Sequence, residues 1–332
     1  GLSFGSILTH FTPINAALLH LYSPQSGLGK TTALQAAAGI WGDPYRLVLK
    51  DSDTVNSKML RSETLKNLIV LMDEVTNTSA KDLSEFIYPM TSGQQRNRMV
   101  ASANGERLRG DPWKTMMVST GNTSIIDKLR AFKNSPQGEL KRILEVCVNK
   151  VGDLKKEETD RLSMLLLNNY GHAGIPFVQT IIQDVAGARE LYTKTQKRID
   201  AEFGFTYQER FYSVLVTDAI VGLTIARKIG LVNFKLKPIR EWIKGVVNDN
   251  VEVSESMHRA PEEIISEFWA DNWNSVLRIK SCVDLRNKDV DSEYTAIPDG
   301  LPRDKLVLRY EYDVNKLYIM KEKLMAWCER RQ

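Results

Sequence analysis

Residues 24–31 read Pro-Gln-Ser-Gly-Leu-Gly-Lys-Thr. The pattern approaches G-x-x-x-x-G-K-[ST], a loop that wraps backbone N–H groups around phosphates and ends on a helix N-terminus. Gly29, Lys30 and Thr31 fit its last three positions. Pro24 stands where the first glycine is expected, and Gly27 offers flexibility in its place. A proline is tolerated at the loop entrance because φ there can be negative. The bland reading of the same residues is a glycine-rich turn in front of a core helix.

The flanks decide between the two. Residues 18–22 (LLHLY) read as a short buried strand. Residues 29–41 read as a helix carrying Ala33, Leu34, Ala36, Ala37, Ala38, Ile40 and Trp41, and a helix apolar all round belongs inside a protein. Gly42, Asp43 and Pro44 end it. Further strands are expected at 46–49, 68–72, 115–119 and 143–148, and helices at 54–65, 79–90 and 122–132. The run LIVLM at 68–72 stops at Asp73-Glu74, as suits a central parallel strand covered on both faces. This alternation means an α/β fold with a five-stranded, mainly parallel sheet. One stretch interrupts it. Asn104-Gly105, within RMVASANGERLR at 98–109, predicts a β-hairpin inserted before the strand at 115–119.

That frame assigns roles. The segment Gln25, Ser26, Gly27, Leu28, Gly29, Lys30, Thr31 and Thr32 would line a bound ATP. The Thr31 hydroxyl and Asp73, at the tip of its strand, would hold Mg²⁺. Glu74 would polarise the attacking water as general base. Asn122 follows the neighbouring strand and would reach the γ-phosphate or its water; otherwise it is a helix N-cap. Arg142 precedes the strand at 143–148 and could complete a neighbouring subunit's site, with Arg130 as the next candidate; a surface arginine is the plain alternative. No N-K-x-D base-reading motif points to GTP.

The 332 residues are 42% hydrophobic and 26% charged, with a net charge of +4, which permits nucleic-acid binding without requiring it. Local charge says more. Between Gln94 and Lys114 five positive residues face two negative ones, and Arg96, Arg98, Arg107 and Arg109 are the candidate nucleic-acid contacts. The hairpin tip, Ala103-Asn104-Gly105, carries no charge. The three cysteines and four histidines are scattered and form no metal-ligand spacing, and His20, in an apolar stretch, reads as a core residue. No apolar run reaches the ~18 residues of a membrane span, and a reducing, cytoplasmic setting fits.

Three regions are expected: a core over 1–150, a helical lid or bundle over 151–250, and a small winged-helix-like module over 251–332. Helices are predicted at 155–169, 177–203, 207–229, 236–248 and 261–271, then strand-like pieces at 306–312 and 316–320 and a last helix from about 321. Arg309, Tyr310, Tyr312, Lys316 and Tyr318 interleave basic and aromatic groups there. The chain starts at Gly1 rather than Met, so a domain upstream is expected.

With those residues in hand, the chain resembles the phage and mobile-element replication ATPases catalogued as domain of unknown function 927, AAA+ relatives of superfamily 3 helicases and poxvirus-type primase-helicases. The matching stretches are LYSPQSGLGKTTALQAAAGIWGDP (21–44), LIVLMDE (68–74), SGQQRNR (92–98), PWKTMMVSTGN (112–122) and GELKRILEV (138–146). The resemblance implies an AAA+ P-loop core, a hexameric ring, a channel-facing hairpin, ATP-driven unwinding with translocation on single-stranded DNA, and often an upstream primase domain. It places the nucleotide-site roles on Lys30, Thr31, Asp73, Glu74, Asn122 and Arg142. Two rival readings remain: an AAA+ ATPase that remodels protein or serves defence without unwinding, and a DNA-binding initiator whose nucleotide site is structural.

Overall fold

The computed structural model describes residues 1–95, 98–100, 105–107, 110–132, 136–149, 156–255, 261–280, 297–298 and 301–330. Its first seven strands are β1 (Ala16–Tyr22), β2 (Val48–Leu49), β3 (Val70–Met72), β4 (Arg98–Val100), β5 (Gly105–Arg107), β6 (Thr115–Gly121) and β7 (Ile143–Cys147). Five of them form one sheet in the order β2-β3-β6-β1-β7, and every pairing in it is parallel. Every residue of β3 and β6 is buried, which is why their sequences read as unbroken apolar runs. Parallel pairing puts all five C-terminal ends on one edge. The loops that follow β1, β3 and β6 therefore meet there, the usual place for a ligand in such sheets.

Three expectations needed correction. The strand expected at 46–49 is only Val48–Leu49, because Pro44–Leu47 is a helical turn. Asp43 starts that turn by accepting from Tyr45 N at 2.9 Å, with Pro44 at its first position, so the stop signal of one helix is the start signal of another. The helix expected at 177–203 is two, Gly174–Gln183 and Val185–Phe203, because Asp184 caps the second through Gly187 N at 2.8 Å. In the hairpin, β4 and β5 pair antiparallel with Val100 opposite Gly105. Gly105, expected at the tip, therefore belongs to the ladder.

Helices Val185–Phe203, Arg210–Lys228 and Leu236–Glu255 share the core of the sheet. Leu215 and Val216 of helix Arg210–Lys228 pack in one cluster with Leu34 and Ala38 of helix Lys30–Gly39 and with Leu71, Met116, Val118 and Leu144 of the strands. The first turn of the chain lies against the same long helix so closely that a Cβ on Gly5 would collide with the backbone of Asp218. Asp218 is fully buried and accepts hydrogen bonds from Thr9 (2.6 Å) and Tyr192 (2.7 Å); burial pushes its carboxyl up to about 8. β7 ends the sheet, and the side chain of Asn250, on helix Leu236–Glu255, closes it. Its Oδ1 accepts from Glu145 N at 2.9 Å and its Nδ2 donates to Glu145 O at 2.8 Å, as a further strand would.

Helix Lys30–Gly39 is less enclosed than its composition predicts. Leu34 and Ala38 are buried, but Ala33 and Ala36 line an apolar cavity of about 610 Å³. The sheet face (Leu19, Val118), helix Arg210–Lys228 (Leu215, Leu223) and helix Leu236–Glu255 (Trp242, Ile243) line it too, and it is open to solvent on one side.

Compact packing divides the chain after Ser254, and the segment Glu255–Gln332 belongs to a second unit. Helix Pro261–Asp271 precedes β8 (Val276–Lys280), β9 (Ile297–Pro298), β10 (Leu308–Glu311), β11 (Lys316–Ile319) and helix Lys321–Arg330. The sheet order is β11-β10-β8-β9, with β10 parallel to β8 and the other pairs antiparallel. The C-terminal hairpin is thus part of a mixed sheet, over a core of Phe268, Val276, Val307, Leu308 and Trp327.

Candidate nucleotide site

The loop that leaves β1 is anchored at its start, where Ser23 N donates to Gly121 O at the end of β6 (3.3 Å). Gly27 and Gly29 have φ of +77° and +82°, a region that side chains rarely adopt, and open space lies where their Cβ atoms would be. At these two positions the loop is therefore an open cradle, with room beside the backbone. Helix Lys30–Gly39 begins directly after it, with its free N–H groups at the cradle.

Lys30 is buried, with 7% of its surface exposed. Its Nζ donates to Ser23 O (3.2 Å), Gln25 O (3.2 Å) and Asn122 Oδ1 (3.3 Å). Beside it the Thr31 hydroxyl donates to Asp73 Oδ2 at 3.2 Å, and Asp73 also accepts from the hydroxyl of Thr120. Glu74 has φ +54° and ψ +37°, a left-handed conformation uncommon for a residue with a side chain. Glu74 N donates to Thr120 Oγ1 (3.2 Å), and its carboxylate accepts from Asn122 Nδ2 (3.1 Å). Lys30, Asn122 and Glu74 thus form one chain of hydrogen bonds, next to the Thr31–Asp73 pair.

Asn122 is free for this because something else caps the next helix. Ile125–Phe132 takes its first hydrogen bonds from Glu145, which accepts from Ile125 N (2.6 Å), Ile126 N (3.1 Å) and the Ser124 hydroxyl (2.6 Å). Burial pushes the Glu145 carboxyl up to about 7, against the pull of those donors. The turn carrying Asn122 is held from two sides. Asn122 N donates to Thr76 Oγ1 (3.0 Å), and His20 Nε2 lies 3.1 Å from Thr123 O. A carbonyl only accepts, so Nε2 carries the hydrogen and Nδ1 accepts from the Ser119 hydroxyl at 2.8 Å. Burial holds the His20 imidazole down to about 4, so it stays neutral. Thr76, Thr120 and His20 support the site without any motif to announce them.

Arg142 is not in the cluster. It stands at the start of β7, at the opposite end of the strands from the phosphate loop, with its guanidinium over the rings of Tyr88 (4.3 Å) and Phe211 (4.9 Å) and a bond to Gly138 O. Its Nε is buried, with no hydrogen-bond partner among the described residues. Arg130 pairs with Asp127 (3.6 Å) and donates to Val253 O (2.7 Å). In the hairpin, Arg98 stands opposite Arg107 in the ladder, while Arg96 and Arg109 lie outside the described residues. Among the described residues no group of three or more His, Cys, Asp or Glu is placed to hold a metal by itself, and no helix is long and apolar enough to cross a membrane.

No curated protein matches the sequence. Residues 2–110, about a third of the chain, match the family model for a domain of unknown function, DUF927. Among solved structures, one described as "SCCmec type IV Cch - active helicase" is similar over 100% of this chain, with a TM-score of 0.65 at 17% identity. The chain spans 59% of that protein's length. What this chain shares with that structure is therefore its fold.

Proposed function

We propose that the chain is the motor of an ATP-dependent DNA helicase of a phage or mobile element, which forms a ring and translocates on single-stranded DNA during replication in the host cytoplasm. The observation that carries this is the Lys30–Asn122–Glu74 chain beside Thr31–Asp73. The residues fit ATP and Mg²⁺. The cradle at Gly27 and Gly29 is open, and the Thr31 hydroxyl and Asp73 carboxylate are the hard oxygen donors that suit magnesium. Held by Thr31 and Asp73, magnesium would supply positive charge against the developing negative charge of phosphoryl transfer. Lys30 turns its ammonium from the loop carbonyls to the phosphates, and Glu74 takes a proton from the attacking water. Asn122 exchanges its bond to Lys30 for the γ-phosphate or that water.

The hairpin arginines Arg96, Arg98, Arg107 and Arg109 contact the phosphates of the strand. The register supports this, because like charges directly opposite in an antiparallel ladder are destabilising unless a counter-charge meets them. Arg142 acts on the neighbouring subunit's site, and an upstream primase domain accompanies the motor in the full protein.

ATP binding and turnover, measured with and without single-stranded DNA, test the reading. Lys30→Ala should lose nucleotide binding. Glu74→Gln should bind ATP and hydrolyse it at least about a hundredfold more slowly, the usual scale of general-base catalysis. Wild-type turnover in Glu74→Gln removes Glu74 as the base. An ATPase indifferent to DNA points to a protein remodeller, and tight ATP binding without turnover points to an initiator with a structural nucleotide.

A further inference from the structure

In the second unit the basic and aromatic residues divide into two sets. In the C-terminal hairpin, Arg309 and Tyr310 are engaged within the unit. Arg309 pairs with Glu311 and lies over Tyr318 (5.3 Å), and Tyr310 donates to Asn315 Oδ1 (3.1 Å) and meets Trp269 edge-on at 5.1 Å. The other set is unspent. Trp273 follows helix Pro261–Asp271 and is 58% exposed, its ring backed by Trp269 at 6.3 Å. It opens on a cleft of about 270 Å³ lined also by Asn274, Val276, Arg278, Leu301, Pro302 and Arg303. The guanidinium groups of Arg278 and Arg303 have no ion-pair or hydrogen-bond partner among the described residues. The two walls are pinned together, since Arg303 N and Asp304 N both donate to Asn274 O, at 2.8 and 3.0 Å. The cleft is therefore built rather than left over: one exposed indole, a fixed rim and two uncompensated cations.

We propose that this cleft seats one nucleotide of a single-stranded nucleic acid, with its base stacked on Trp273 and its flanking phosphates on Arg278 and Arg303. This rests on the reading above that the chain works on single strands, and it adds a second contact outside the hairpin. Stacking on an aromatic ring is indifferent to base identity, and guanidinium contacts to phosphate are indifferent to sequence. The cleft therefore holds a strand without selecting its sequence.

The test uses the full chain and a fluorescein-labelled oligothymidylate, with binding followed by anisotropy over a salt series. Trp273→Ala should weaken binding roughly tenfold, the scale of one lost stack. Trp273→Phe should recover most of that loss. Arg278→Ala with Arg303→Ala should shrink the log–log salt slope by ~1.4, at ~0.7 per phosphate contact on a single strand. DNA-free ATPase should be unchanged in all three. Wild-type affinity and slope in these variants would overturn the cleft and leave the helicase reading standing. A wild-type chain that hydrolyses ATP but binds no oligothymidylate would overturn both. Displacement of the strand by thymidine monophosphate at comparable concentration would make the cleft a free-nucleotide site and overturn the proposal.

Discussion

Asn122 lies between two opposite charges, and its amide has one orientation that serves both: oxygen toward the Lys30 ammonium, nitrogen toward the Glu74 carboxylate. A positional error there reaches both groups at once. Thr76 sets that position by accepting the Asn122 N–H. Thr76→Val keeps the shape and removes the acceptor. In the proposed ATPase it should lower kcat about tenfold with little change in KM, while Thr76→Ser restores kcat. A valine variant that loses stability but keeps kcat, or a serine variant that restores nothing, would make Thr76 merely structural. Lys30 and Thr31 stood out through the Gly-x-Gly-Lys-Thr pattern, Asp73 and Glu74 because they end an apolar run, and Asn122 because it follows the neighbouring strand. Thr76, Thr120 and His20 were not. A threonine after a strand is ordinary, and its role depends on which backbone group comes to meet it from a distant element.

Among the elements, β7 shows how a sheet edge can be closed by one side chain. Asn250 supplies both an acceptor and a donor to Glu145. Asn250→Ala leaves that buried N–H and C=O unpaired, at about 1–3 kcal/mol for each group. Urea denaturation should show a loss of about 2 kcal/mol or more. The exposed neighbour variant Asp249→Ala should stay within ~0.5 kcal/mol. Equal midpoints for the two would mean that water replaces the amide without cost. The order of strands and helices was legible because a buried parallel strand cannot be other than apolar. The boundaries were less so. Asp43-Pro44 and Asp184 are caps that read equally well as breaks, and Asn104-Gly105 signals a turn while the ladder absorbs its glycine. The pairing of Asn250 with β7 joins residues 105 positions apart and leaves no mark in either stretch.

At the scale of the molecule, the proposed ring depends on Arg142 reaching another copy. In this chain its guanidinium is held between Tyr88 and Phe211, so action on a neighbour requires it to leave that slot. Arg142→Ala and Glu74→Gln should each be poorly active alone. Mixing them should restore part of the ATPase, because some interfaces then regain both groups. A monomer with full turnover at every concentration would rule the ring out.

The cavity against helix Lys30–Gly39 has a consequence for stability. The space of about 610 Å³ is open to solvent on one side, with Phe234 and Trp242 at its exposed walls, so apolar surface there stays in water instead of being packed. Each part of that wall that a side chain covers adds stability in proportion to the apolar area removed from water. Ala36→Leu, which extends an apolar side chain over the wall, should therefore raise the urea midpoint, by about 1 kcal/mol in stability. An unchanged midpoint would show that the added side chain stays in water beside the wall and not on it.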